Sequence, residues 1–160
     1  MKAKHHFWSS LAAGGALYWA TGSGAALTGC MIGGFLIDAD HIIDQLWSIG
    51  RGAPFRKKAG DIEKPTRPGL SNSLVSVLRP RKLVRLPLIF HSFELLIVIA
   101  ALAFNQRTPF LIGLSAGYAL HIALDLSRHY HEFRSPMFYL LLYRLAQRFR
   151  RDQLIKPEYL

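Results

Sequence analysis

Apolar positions in this chain come in long blocks. From Phe7 to Ile37, 31 consecutive residues carry no Lys, Arg, Asp or Glu. The break Thr21-Gly22-Ser23-Gly24 inside that run is small and turn-prone, so the block predicts two helices, at about 6–20 and 24–48. Gly14, Gly15, Gly29, Gly33 and Gly34 suit close helix–helix approach. A third apolar block, from Leu86 to Phe104, is interrupted by His91 and Glu94, and a fourth, from Thr108 to Leu126, by His121 and Asp125. The short link Asn105-Gln106-Arg107-Thr108-Pro109 predicts a hairpin between them. Further on, the helical spacing of Phe138, Leu141, Leu142, Leu145 and Phe149, opposite Arg144, Arg148 and Arg151, predicts an amphipathic helix at about 136–151.

The pattern is all-α, and 160 residues are the size of one domain, 1–160. An apolar content of 51% with 19% charged residues excludes a disordered tail. The single cysteine, Cys30, excludes a disulfide framework and a Cys-rich zinc site. Of the net charge of +10, residues 51–85 carry ten positive and two negative side chains, and residues 136–160 five and two. Basic blocks between apolar ones predict a multi-pass membrane bundle of about four helices in two hairpins, with the 136–151 helix lying on the membrane surface. Two helices separate the basic N-terminus (Lys2, Lys4) from the basic loop at 51–85, and two more separate that loop from the basic C-terminal segment. All three then fall on the cytoplasmic side.

Each block taken alone is marginal for a span of about 20 residues, and a soluble helical bundle is the alternative. A secretory signal at the N-terminus is disfavoured by a Gly-, Trp- and Tyr-containing core. The loop at 51–85, with Pro54, Pro65, Pro68 and Pro80, reads first as a solvated basic loop and second as a surface for anionic head groups or a phosphate-bearing substrate.

The chargeable residues in and at the edges of the apolar blocks are His and carboxylate: His5, His6, Asp38, Asp40, His41, His91, Glu94, His121 and Asp125. These are ligand types for zinc, manganese or iron. His121 and Asp125 are four apart and share a helix face, as do His91 and Glu94 at three. In two antiparallel hairpins all of these positions fall at one end of the bundle. Singly, each has a plainer explanation, such as a helix cap or an interfacial polar residue. Ionisable groups at membrane depth are costly and are usually paired or functional. His129 and His131 read as surface residues, with His129 a reserve ligand.

The order of these elements resembles the bacterial membrane-bound metal-dependent hydrolases, a family with LexA-regulated members that is distantly similar to zinc-dependent phospholipases C. The resemblance runs over about 5–127. It rests on an N-terminal His before a small-residue helix, on Asp38-Ala39-Asp40-His41, on His91-Ser92, and on His121 with Asp125. The family pattern departs at Ile37, where proline is usual, at Leu86-Pro87, near the place of a His-Arg, and at Ser127-Arg128-His129 after the last element. The resemblance implies a hydrolase with a metal held by His5 or His6, Asp38, Asp40 or His41, His91, His121 and Asp125.

The reading that combines these points is a membrane metal-dependent hydrolase of the bacterial inner membrane, acting on a phosphoester such as a lipid head group. Zinc is the first metal and manganese or iron the alternatives. Glu94 or Asp40 would act as general base, and membrane lipids and an anionic substrate would be the partners. The rival is a non-catalytic membrane protein with a structural, sensing or transport metal site. A specific nucleic-acid partner is not expected, because it explains the charge but not the apolar blocks.

Overall fold

The computed structural model describes residues 3–41 and 86–159. The basic loop at 51–85 and the distal part of the expected 24–48 helix lie outside the described residues. Four helices form the frame: α1 (Ala3–Thr21), α2 (Gly24–Phe35), α3 (Phe93–Gln106) and α4 (Pro109–His129). Two short helices, α5 (Leu141–Ala146) and α6 (Arg151–Leu154), follow among 3-10 turns. Among the described residues no strand forms, and Phe133 and Ile155 make an isolated bridge. The chain is all-α, as its pattern predicts.

Both tight turns form where the sequence breaks. Gly22 takes the left-handed conformation (φ 65°) between α1 and α2, where any side chain would be strained. Arg107 ends α3, also left-handed (φ 52°), and its N–H donates to the Ala103 carbonyl. Thr108 then caps α4, its hydroxyl accepting from Leu111 N–H at 3.3 Å, and Pro109 occupies the first helical turn.

The tightest packing is between α2 and α4. A Cβ added at Gly29 or Gly33 would fall on the carbonyl oxygens of Phe110 and Leu114. From the other side, a Cβ at Gly113 or Gly117 would fall on those of Ala26 and Cys30. The two Gly-x-x-x-Gly pairs thus let backbone touch backbone. α1 lies against α2, where Ser10 sits over Gly34. This crossing sets the positions of the α2 C-terminus and of the residues on α4 beyond Gly117.

Two expectations are corrected. The second helix is not continuous: α2 ends at Phe35, a 3-10 turn covers Leu36–Asp38, and helical backbone resumes at 39–41. The Gly33-Gly34 pair, weak in helix propensity, stands just before the break. The amphipathic helix at 136–151 also does not form as one piece. Pro136–Tyr139 is a 3-10 turn, α5 is short, and the left-handed pair Arg148 (φ 52°) and Phe149 (φ 57°) separates it from α6. Its expected faces are partly inverted: Leu142 and Leu145 are exposed, whereas Arg144 is fully buried (0% exposed). The cause is a set of carbonyls waiting for that guanidinium. Arg144 Nη1 donates to Pro87 and Leu88, at 2.9 and 2.7 Å, and Nη2 donates to His91 O at 2.8 Å.

The C-terminal segment closes the bundle end. Phe138, Tyr139, Leu154 and Ile155 pack with Leu88, Tyr118 and Ile122 in one core. Among the described residues, Pro109–Glu132 is the one helical stretch long and apolar enough to cross a membrane, and α3 is a shorter apolar helix.

Candidate metal centre

Four segments bring their polar residues to one end of the bundle. His6 comes from the first turns of α1, and Asp38 from the 3-10 turn after α2. His91 comes from the loop before α3, and His121 and Asp125 from the second half of α4. His6, His91, His121 and Asp125 are buried, whereas the Asp38 side chain keeps 24% of its surface exposed.

The outer nitrogen of each central histidine is already engaged. His91 Nδ1 lies 2.9 Å from Asp40 Oδ2, and His121 Nδ1 lies 2.8 Å from the Gly34 carbonyl oxygen. A carboxylate and a carbonyl only accept, so both Nδ1 atoms carry hydrogen. In the neutral rings both Nε2 atoms then present lone pairs, and they face each other at 3.1 Å. A proton or a metal cation between them removes the repulsion. Carboxylate and carbonyl partners behind metal-binding histidines serve this orienting purpose.

Two carboxylates complete the set. Asp38 Oδ1 is 3.6 Å from each Nε2. Asp125 Oδ2 is 3.5 Å from His91 Nε2 and 3.4 Å from His121 Nε2. Nitrogen and oxygen donors about 2.0–2.1 Å from a tetrahedral zinc stand about 3.3 Å apart. The His–His and His–carboxylate separations of 3.1–3.6 Å are those a single divalent ion spans, and one donor atom each of His6, Asp38, His121 and Asp125 lies within 4.8 Å of the others. His6 stacks on His121 with ring centroids 4.0 Å apart, and its Nε2 lies 3.1 Å from Asp125 Oδ1. Neither His6 ring nitrogen makes an aligned hydrogen bond. A buried imidazole in that state also fits a cation-binding cluster.

The cluster perturbs its own proton affinities. Burial alone would lower the His91 pKa, but the carboxylates of Asp125, Asp38 and Asp40 outweigh it and raise the value to about 11. Burial pushes the Asp38 carboxyl up, yet the His91 hydrogen bond and the charges of the surrounding histidines bring it below its ordinary value.

The remaining sequence candidates are distributed otherwise. His5, next to the buried His6, is exposed. His41 stands at the rim, 3.9 Å from Asp38 Oδ1 and with its ring 5.0 Å from that of His91. Asp40 turns to the back of His91 and also accepts from Phe90 N–H at 3.2 Å, so it holds the orientation of the His91 ring. Glu94 is directed away from the cluster. Its two oxygens accept from the N–H groups of Leu141 and Leu142, at 2.9 and 3.1 Å, because the start of α5 leaves those donors without helical partners. Neither carboxylate stands as a general base at the centre. Sequence reasoning missed the Arg144 clamp on the His91 loop; the lone hint was an arginine at a position that helical periodicity assigned to solvent.

A cavity of about 690 Å³ opens beside the cluster. Asp38, His41, His91 and Asp125 line it together with the apolar side chains of Phe35, Leu86, Leu88, Phe133, Phe138 and Ile155. Arg151, His129 and Glu132 also line it. No family model, no curated protein and no solved structure matches this chain.

Proposed function

We propose that this chain is a membrane-embedded metal-dependent hydrolase acting on a phosphoester that carries an apolar group. The observation that carries the reading is the convergence of His91 Nε2, His121 Nε2, Asp38 and Asp125 on one point, with both outer imidazole nitrogens already held. His6 is the further ligand from α1. A bound zinc, or manganese or iron, would supply Lewis-acid polarisation of a phosphoryl oxygen and a water of lowered pKa. Asp40 and the Gly34 carbonyl keep the two rings turned inward. Arg144 fixes the backbone of the His91 loop through three carbonyls. The mixed lining of the cavity supports this substrate class: polar side chains for the phosphoryl group and apolar ones for the chain attached to it.

Membrane embedding is supported by the length and hydropathy of Pro109–Glu132. It is also supported by the apolar side chains that α1 and α3 leave exposed, among them Trp8, Trp19, Ile97, Val98 and Phe104. The basic segments favour a cytoplasmic N-terminus, 51–85 loop and C-terminus in a bacterial inner membrane, with the metal end on that same side. The family resemblance in the order of the His and Asp elements agrees with this assignment.

The test is elemental analysis of detergent-purified protein, wild type beside His121→Ala/Asp125→Ala, followed by a phosphoesterase screen. Near-stoichiometric metal that is lost in the double variant, together with turnover by the wild type, is the expected result. No metal in the wild type after supplementation overturns the reading.

One observation favours a rival. The four donors by themselves suffice for a tetrahedral zinc, the arrangement of a structural site. Bound metal without turnover on any phosphoester would decide for that alternative.

A further inference from the structure

The two carboxylates that the sequence offered for proton transfer are engaged elsewhere, Asp40 on His91 and Glu94 on the start of α5. Another group facing the cavity has the required form. His129 is one helical turn beyond Asp125 and two beyond His121, so the three share one stripe of α4. The four residues from Asp125 to His129 move it about 6 Å along the helix axis. His129 Nδ1 lies 2.7 Å from Glu132 Oε1, and that acceptor holds the hydrogen on Nδ1. Both residues line the same cavity as Asp38, His91 and Asp125. Both are partly exposed, with 29% and 36% of their side-chain surfaces accessible, so proton exchange with water is open to them. His129 belongs to neither group of donor atoms that lie within 4.8 Å of one another, which separates it from the metal ligands.

We infer that His129 and Glu132 form the proton-transfer dyad of the hydrolase, with His129 as general acid to the leaving group. The inference rests on the hydrolase reading above. In the step it describes, a water oxygen forms a bond to phosphorus and the ester P–O bond breaks with its electron pair on the leaving oxygen. That oxygen takes the proton from His129 Nε2, and the proton lost by the attacking water returns through solvent to His129. Glu132 holds the ring in position through its contact with Nδ1.

The experiment uses the full chain, metal-loaded in detergent, as wild type, His129→Gln and Glu132→Ala. Two substrates are compared: an aryl phosphodiester whose phenolate leaves without protonation, and an alkyl phosphodiester whose alkoxide does not. The expected result for His129→Gln is a kcat about 10²–10⁴-fold lower on the alkyl ester and a much smaller loss on the aryl ester, at unchanged metal content. Imidazole ¹⁵N spectra should show His129 as the Nδ1–H tautomer in the wild type and a loss of that preference in Glu132→Ala. Equal losses on both esters, or none, overturn the dyad while leaving the hydrolase reading standing. Metal lost with His129→Gln makes His129 a ligand and overturns it too, as does an Nε2–H tautomer in the wild type. Metal-bound wild type that hydrolyses neither ester overturns the hydrolase reading, and the acid role with it.

Discussion

Nε2 of His91 and Nε2 of His121 face each other at 3.1 Å, each ring pinned from behind by an acceptor that cannot release it. The two histidines are thirty positions apart, one in the loop before α3 and one in α4. A pair so arranged binds a cation with little rearrangement, since the tautomers and ring directions are set beforehand.

Asp40 is the partner through which this can be tested without touching a ligand. Asp40→Ala frees the His91 ring and leaves all four facing donors in place. Metal affinity should fall about 10–100-fold, with the fold retained. Competition against a chromophoric chelator measures it. An unchanged affinity would mean that Asp40 orients nothing.

Glu94 makes the opposite prediction. Its oxygens cap Leu141 and Leu142, so Glu94→Gln should leave metal content and any turnover intact and cost about 1 kcal/mol or less of stability. Chemical denaturation beside elemental analysis checks both halves. A large loss of activity with full metal occupancy would restore Glu94 as a catalytic group.

The Gly117 backbone presses on Cys30 where α2 and α4 meet. Gly117→Ala places a methyl group on the Cys30 carbonyl oxygen, and backbone cannot move aside as a side chain can. Overpacking costs about 1–3 kcal/mol where a core relaxes, and this contact sits at the upper end or beyond. Because the crossing also sets where Gly34 and His121 meet, metal affinity should fall with stability. Gly15→Ala, with open space around it inside α1, is the control that should leave metal affinity unchanged and raise stability by about 0.5–1 kcal/mol. Thermal melts with and without metal distinguish the two variants.

How much of this was legible in the sequence depends on the residue. His91, His121, Asp38 and Asp125 could be singled out not one by one, since each alone has a plainer explanation, but because the breaks at Gly22 and Pro109 imply two hairpins that carry all four to one end of the bundle. Which carboxylates face the donor set could not be read. Asp38 and Asp40 differ by two positions, and the break in α2 that separates their directions depends on packing. Arg144 was misassigned because helical periodicity describes a continuous helix, whereas the left-handed pair Arg148 and Phe149 and the carbonyls of Pro87, Leu88 and His91 impose a different path. Local pattern reports one helix at a time, and a buried guanidinium answers to a loop more than fifty residues away.

The proton on His91 gives the last prediction. Without metal, its pKa is raised to about 11 because three carboxylates surround it, against about 6.5 in an unfolded chain. A raised pKa stabilises the folded state, fully below the unfolded value, and the contribution is lost as pH climbs from there through the folded value. Metal-stripped protein should therefore melt at progressively lower temperature from about pH 7 to about pH 10. A metal ion takes the place of that proton, so binding should release a proton and strengthen as pH rises over the same range. The gap in Tm between metal-loaded and stripped protein should widen with pH. Paired melts across the range measure the gap, and proton uptake by a weakly buffered indicator during metal titration measures the exchange directly. A pH-independent gap with no proton release would mean that His91 is neutral before the metal arrives, and that the carboxylates around it are held by other cations.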